Sequence, residues 1–138
     1  PRWSRASGSN LIPSPHDSMG LVNKFFPHLE GRLIGRTVRA PVDHTSYVTC
    51  SFEVANRVDE QAILDCLAST RIASTVLGMD HEPLVSSDYV TDPRSCVIDG
   101  TSIRVVDGYT MLISAWYNNE YGFAYRMINI AEKVSKII

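Results

Sequence analysis

Asp107-Gly108 stands between two runs rich in strand-forming residues, 103–106 and 109–117. Asp-Gly is a preferred pair for a tight hairpin, because both central residues of a type I′ turn need positive φ. The dipeptide therefore predicts two antiparallel strands in the last third of the chain. The segment after them, 121–137, repeats apolar residues at helical spacing. It predicts a helix that buries Ala124, Met127, Ile128, Ala131 and Val134.

Upstream, the same reading alternates helices and strands. A short helix is expected over 17–26, with Ser14 or Asp17 as cap, an apolar side of Leu21, Val22, Phe25 and Phe26, and Pro27 as its end. Strands are expected over 36–40 and 46–54. The second alternates, so Val48, Cys50, Phe52 and Val54 are expected on a buried face opposite Tyr47, Thr49, Ser51 and Glu53. Residues 59–67 read as a helix capped by Asp59, with Ala62, Ile63, Cys66 and Leu67 inward. Short strands are expected over 84–89 and 96–99, and there is no internal repeat. Helices separated by hairpin-joined strands give an α+β fold with a mostly antiparallel sheet and helices on one face. Residues 1–13 carry Gly, Ser, Pro and arginines without an apolar period. They read as a loop that packs elsewhere, extended and under-packed on its own, with the domain proper at 14–138.

Composition narrows the function classes. With 138 residues, a formal charge of −2 and no clustering of Lys and Arg, one domain is expected and nucleic-acid binding is not. No apolar run approaches the roughly 20 residues of a membrane span. Cys50, Cys66 and Cys96 make neither an even set nor a Cys-x-x-Cys pair, so reduced thiols of a cytoplasmic protein are expected, and no metal site. Cys50 and Cys66 read as core residues, and no histidine stands near Cys96 in sequence to activate it.

Five strings, in order, carry a resemblance to a known family. Trp116-Tyr117-Asn118-Asn119-Glu120-Tyr121-Gly122, with Arg126 in register, resembles the Trp-Tyr-Asp-Asn-Glu-aromatic-Gly string of glyceraldehyde-3-phosphate dehydrogenases. Leu84 to Tyr89 resembles that family's Leu-Val-Ser-x-Asp-aromatic stretch, and Val38-Arg39-Ala40-Pro41 its Val-Arg-Val-Pro. Arg5-Ala6-Ser7 through Leu11-Ile12-Pro13 matches its Arg-Ala-Ala to Ile-Ile-Pro segment. Asp92-Pro93-Arg94-Ser95 followed by Ile98-Asp99 is similar to two branches above all, the erythrose-4-phosphate dehydrogenases and the arsenate-resistance-associated enzymes. The likeness spans the whole chain and implies the C-terminal, substrate-side domain of such a protein.

By that resemblance, the intact protein is an NAD-dependent oxidoreductase of glycolysis or related carbohydrate metabolism. It acts on a phosphorylated small aldehyde with inorganic phosphate, works in the cytoplasm and assembles as a homotetramer, with residues 1–13 at the tetramer core. NAD is held mainly by an N-terminal domain. The nucleophilic cysteine and the histidine base lie upstream of this chain, which therefore has no catalytic residue of its own and is expected to be inert alone. Asn119 falls where the family's asparagine holds the nicotinamide carboxamide, work suited to a group that both donates and accepts. Without its flanking string it reads as a turn asparagine. Arg39 matches an arginine that grips phosphates, for which a planar, permanently charged fork is suited; otherwise it is a surface strand arginine.

The anion site departs from the pattern. Where the family has Pro-Thr-Ser-Thr-Gly-Ala, a phosphate cradle, this chain has Pro13-Ser14-Pro15-His16-Asp17-Ser18. Asp17 would bring a carboxylate toward a phosphate, a repulsion of about 4 kcal/mol at ~4 Å and an effective dielectric near 20. Trp3 replaces a second anion-site arginine, and Asn118 a usual Asp. Ser14 and, when protonated, His16 are the residues left to bind phosphate there. Three readings remain: an enzyme acting on glyceraldehyde 3-phosphate, one acting on erythrose 4-phosphate, or a non-catalytic relative used as a structural or interaction subunit.

Overall fold

The structure, a computed structural model, describes residues 4–5, 7–15, 19–70 and 75–137. It forms two compact units, Pro1–Val42 and Asp43–Ile138. In the first, a short 3-10 turn at Ser7–Ser9 precedes β1 (Ile12–Pro15), α1 (Met19–Phe25), a 3-10 turn at Pro27–Leu29 and β2 (Arg36–Arg39). Strands β1 and β2 pair antiparallel, Ile12 opposite Arg39 and Ser14 opposite Thr37. Helix α1 ends where expected, before Pro27, whose ring has no N–H to continue the ladder. Asp17 and the start of the expected helix lie outside the described residues.

The second unit contains β3 (Ser46–Glu53), α2 (Glu60–Ser69), β4 (Leu77–Asp80), β5 (Cys96–Val106), β6 (Thr110–Tyr117) and α3 (Tyr121–Ser135). Its sheet runs β3-β6-β5-β4, antiparallel except for the parallel pair β4–β5. The fold is α+β, as the sequence implies. The Asp107-Gly108 hairpin is present, with φ of 56° and 77° at its two central residues and Tyr109 N–H donating to the Val106 carbonyl at 3.2 Å. Strand β4 is not anticipated by alternation, since Gly78 and Asp80 are poor strand formers held in place by pairing with β5.

The core lies between α2 and one face of this sheet. Ile63 from α2 meets Ile98, Ile103 and Ala115, with Leu64, Leu67, Val105, Met111 and Ile113 packed around them. Asp59 caps α2, its carboxylate accepting the Ala62 N–H at 2.8 Å. The other sheet face carries an aromatic row: Tyr89 stacks on Trp116 at 5.4 Å, and Tyr47 leans on Trp116 at 4.4 Å.

Four expectations need correction. Residues 84–89 are no strand: Ser86–Tyr89 form a 3-10 turn, because the Asp88 carboxylate reaches back to the Val85 N–H and takes it from any ladder. The alternation of β3 is real, but Val48 and Phe52 stay 36% and 43% exposed. Helix α2 lies against β5, leaving edge strand β3 beyond its cover. Ala62 and Cys66, expected inward on α2, are exposed, and the helix turns Ile63, Leu64 and Leu67 to the sheet instead. Finally, α3 does not bury its apolar stripe. Met127, Ile128 and Val134 are 58%, 53% and 46% exposed, Ala124 and Ala131 are exposed too, and Gly122 is its one buried residue. Its contacts are concentrated in its first two turns, at Gly122 and Arg126.

Candidate functional site

Strand β6 ends at Tyr117, and two asparagines of opposite character follow. Asn118 is 5% exposed. Its side-chain oxygen accepts the Glu120 and Tyr121 N–H groups at 3.0 and 2.8 Å, which would otherwise be orphan donors at the start of α3. Its side-chain nitrogen donates to the Val90 carbonyl at 2.8 Å. A carboxylate could make the first two contacts and not the third, so the exchange of the family's usual Asp for Asn suits this corner. Asn119, the residue singled out by its string, is exposed, and its side-chain amide is committed to no hydrogen bond among the described residues.

Beside this corner lies a hollow of 410 Å³ lined by Ser95, Tyr117, Asn118, Asn119, Phe123 and Arg126. That is at the small end of the roughly 300–1,000 Å³ typical of small-molecule sites. Arg126 donates from one Nη to the Pro93 carbonyl at 3.2 Å, while its Nε and other Nη are buried without acceptors. Apolar walls, one free amide and orphan donors suit a flat ring bearing a carbonyl.

The segment behind the hollow is held by charge. Arg94 forks onto Asp92, Nε to Oδ1 at 2.9 Å and Nη2 to Oδ2 at 2.5 Å, and lies 3.6 Å from Asp80 on β4. Its hydrogen bonds to Asp92 raise the Arg94 pKa further. Burial alone would raise that of Asp92, yet the Arg94 hydrogen bonds and charge outweigh it, so the carboxyl is held below its usual range. Tyr89 donates its hydroxyl to Asp80 at 3.1 Å; burial first, then that bond, pushes its pKa up to about 12. From the sequence, Asp92-Pro93-Arg94 stands out only as part of a family-like string. Asp92 and Arg94 lie in a loop between a turn and β5, where no helical or strand period fixes how two side chains meet.

In the first unit, Arg39 is exposed and Ser14 is 8% exposed. Ser14 opposes Thr37, which puts Arg39 diagonally across the ladder on the same face, within side-chain reach. The pairing thus brings together two of the expected phosphate ligands. His16 and Trp3 lie outside the described residues. The thiols of Cys50 and Cys96 are pushed up by burial, the opposite of what activates a nucleophile. Among the described residues, no helix is long and apolar enough to cross a membrane.

Comparison with known proteins agrees with the strings. The family model "Glyceraldehyde 3-phosphate dehydrogenase, C-terminal domain" matches residues 1–119. Glyceraldehyde-3-phosphate dehydrogenase 3 of Nostoc sp. (strain PCC 7120) is 39% identical over 137 residues, covering 97% of this chain and 41% of the relative. Glyceraldehyde-3-phosphate dehydrogenase 2 of Bacillus subtilis (strain 168) is 34% identical, covering 97% and 40%, and that of Staphylococcus aureus (strain Mu50) is 28% identical, covering 99% and 40%. The chain thus spans about two fifths of the length of these relatives. With the match running through the β6–α3 corner, the chain belongs to the glyceraldehyde 3-phosphate dehydrogenase C-terminal domain family.

Proposed function

We propose that this chain is the substrate-side domain of an NAD-dependent, phosphorylating aldehyde dehydrogenase. The observation that carries the reading is the pair at the β6–α3 corner: Asn118 locked by three hydrogen bonds, and Asn119 beside it exposed, uncommitted and on the wall of the hollow. A side-chain amide held on a fixed backbone can present both a donor and an acceptor to a carboxamide in one orientation. The hollow suits the nicotinamide ring of NAD, with Phe123 and Tyr117 as apolar walls, and the rest of the dinucleotide is bound by other parts of the protein. When bound, the nicotinamide accepts the hydride; the part played by Asn119 is to orient it. Arg39 and Ser14, with His16, bind the phosphate of the aldehyde substrate or inorganic phosphate. The nucleophile and base are supplied from outside this chain, in keeping with the raised thiol pKa values of Cys50 and Cys96. In this reading the protein is a cytoplasmic homotetramer of carbohydrate metabolism.

The full-length protein tests this directly. NAD reduction is expected with glyceraldehyde 3-phosphate and inorganic phosphate, and Asn119→Ala is expected to weaken NAD binding roughly 5- to 100-fold, the worth of one or two lost hydrogen bonds. Preference for erythrose 4-phosphate would move the substrate and keep the class. No turnover with either aldehyde, in phosphate or in arsenate, would sink the enzyme reading and favour a non-catalytic relative, which Asp17 and Trp3 on the phosphate side already suggest as the rival.

A further inference from the structure

The Asp92-Pro93-Arg94-Ser95 string lies outside the roles given above, and carbonyls of residues 90–94 meet the β6–α3 corner. The Val90 carbonyl accepts from Asn118, and the Pro93 carbonyl accepts from Arg126. A Cβ added at Gly122 would stand 2.8 Å from the Arg94 carbonyl oxygen, so the first turn of α3 rests directly on that backbone. Residues 90–94 therefore meet this corner at three points, Asn118 just before α3, Gly122 in its first turn and Arg126 in its second, with Asn119 between the first two.

What shapes the grip is the Arg94 side chain. Its guanidinium closes on Asp92, whose Oδ1 also accepts the Arg94 N–H at 2.8 Å, and it reaches Asp80 on β4. Room for it is made by Gly78, where any Cβ would run into the Arg94 side chain. Asp80 is in turn held by the Tyr89 hydroxyl at 3.1 Å. The line of contacts runs from β4, through the Arg94 fork, to the 90–94 carbonyls, to Asn118 and so to Asn119.

We propose that Arg94 is a positioning residue for the cofactor: the fork it makes with Asp92 and Asp80 sets the carbonyls that fix the β6–α3 corner, and through it the Asn119 amide. The inference rests on the reading of Asn119 as the nicotinamide ligand. Lysine cannot replace Arg94, because a single ammonium cannot grip both Asp92 oxygens while facing Asp80.

The test uses full-length protein carrying Arg94→Ala, Arg94→Lys or Asp92→Asn, with two readouts. Amide hydrogen exchange at Glu120 and Tyr121, measured without NAD, is expected to quicken on the order of tenfold in Arg94→Ala as the Asn118 cap loosens. NAD affinity is expected to fall roughly tenfold, and hydride transfer, followed with deuterated aldehyde, is expected to lose part of its preference for one nicotinamide face. A general loss of stability would not move that face preference in enzyme still folded at the assay temperature. Asp92→Asn, which keeps the shape and weakens the fork, is expected to show the same pattern more mildly and covers the case in which Arg94→Ala fails to fold. Unchanged exchange, or quickened exchange with NAD affinity and face preference intact, overturns the proposal. A parent protein that binds no NAD takes down the underlying reading, and this inference with it, whatever the variants do.

Discussion

Helices α2 and α3 are both amphipathic, and the chain treats them in opposite ways. Helix α2 is capped by its own Asp59 and presses Ile63, Leu64 and Leu67 into the sheet. Helix α3 is the longer and is held at one end: Asn118 satisfies its first donors, the Arg94 and Pro93 carbonyls meet Gly122 and Arg126 in its first two turns, and Phe123, Met127, Ile128 and Ile130 remain 53–66% exposed. An apolar stripe thus states that a helix has a face to cover and says nothing of what covers it. One helix is a structural member of this domain. The other is fastened beside Asn119 and left open elsewhere.

The largest expected effect comes from attacking α2 at its anchor. Ile63→Ala removes three carbons from a site that is 7% exposed and walled by Ile98, Ile103 and Ala115. A loss of about 2–5 kcal/mol is expected, by the usual cost of large-to-small changes in a core. Urea unfolding of the chain measures it. A loss under about 1 kcal/mol would mean that α2 is no better seated than α3, and the contrast would fail. Asp59→Ala is a smaller blow to the same helix. It removes one cap bond and is expected to cost about 1 kcal/mol, while Asp59→Asn, which keeps the acceptor, should recover most of it.

How much of this was legible in the sequence follows the range of each interaction. The Asp107-Gly108 turn and the Asp59 cap are local, made by a residue on its own neighbours' backbone, and both stand where the sequence puts them. The 84–89 segment misleads for a local reason as well: its apolar residues suggest a strand, but the Asp88 carboxylate offers the backbone a closer partner. Strand β4 depends on the distant β5, and Gly78 and Asp80 hide it from any propensity argument. Of the proposed site, the flanking string points to Asn119, whose exposed amide the structure places on the wall of the hollow, and the β1–β2 pairing puts Ser14 and Arg39 on one face. The grip of residues 90–94 on Asn118 is not legible, since backbone carbonyls carry no side-chain signature.

The smallest expected effect is the sharpest probe of the comparison. Ile128 is 53% exposed in the middle of α3, with no neighbour from the core cluster. Replacing it with Ser removes apolar surface that water already reaches and keeps residues of similar, moderate helix propensity. The unfolding free energy of this chain is therefore expected to change by no more than about 0.5 kcal/mol, as for surface substitutions in general. The same change in α2, at a residue touching the sheet, would cost several times more. A loss above about 1 kcal/mol in Ile128→Ser would show that the stripe of α3 is covered in solution. The helix would then be a packed element like α2, and the difference drawn between them would be one of partner and no longer of role.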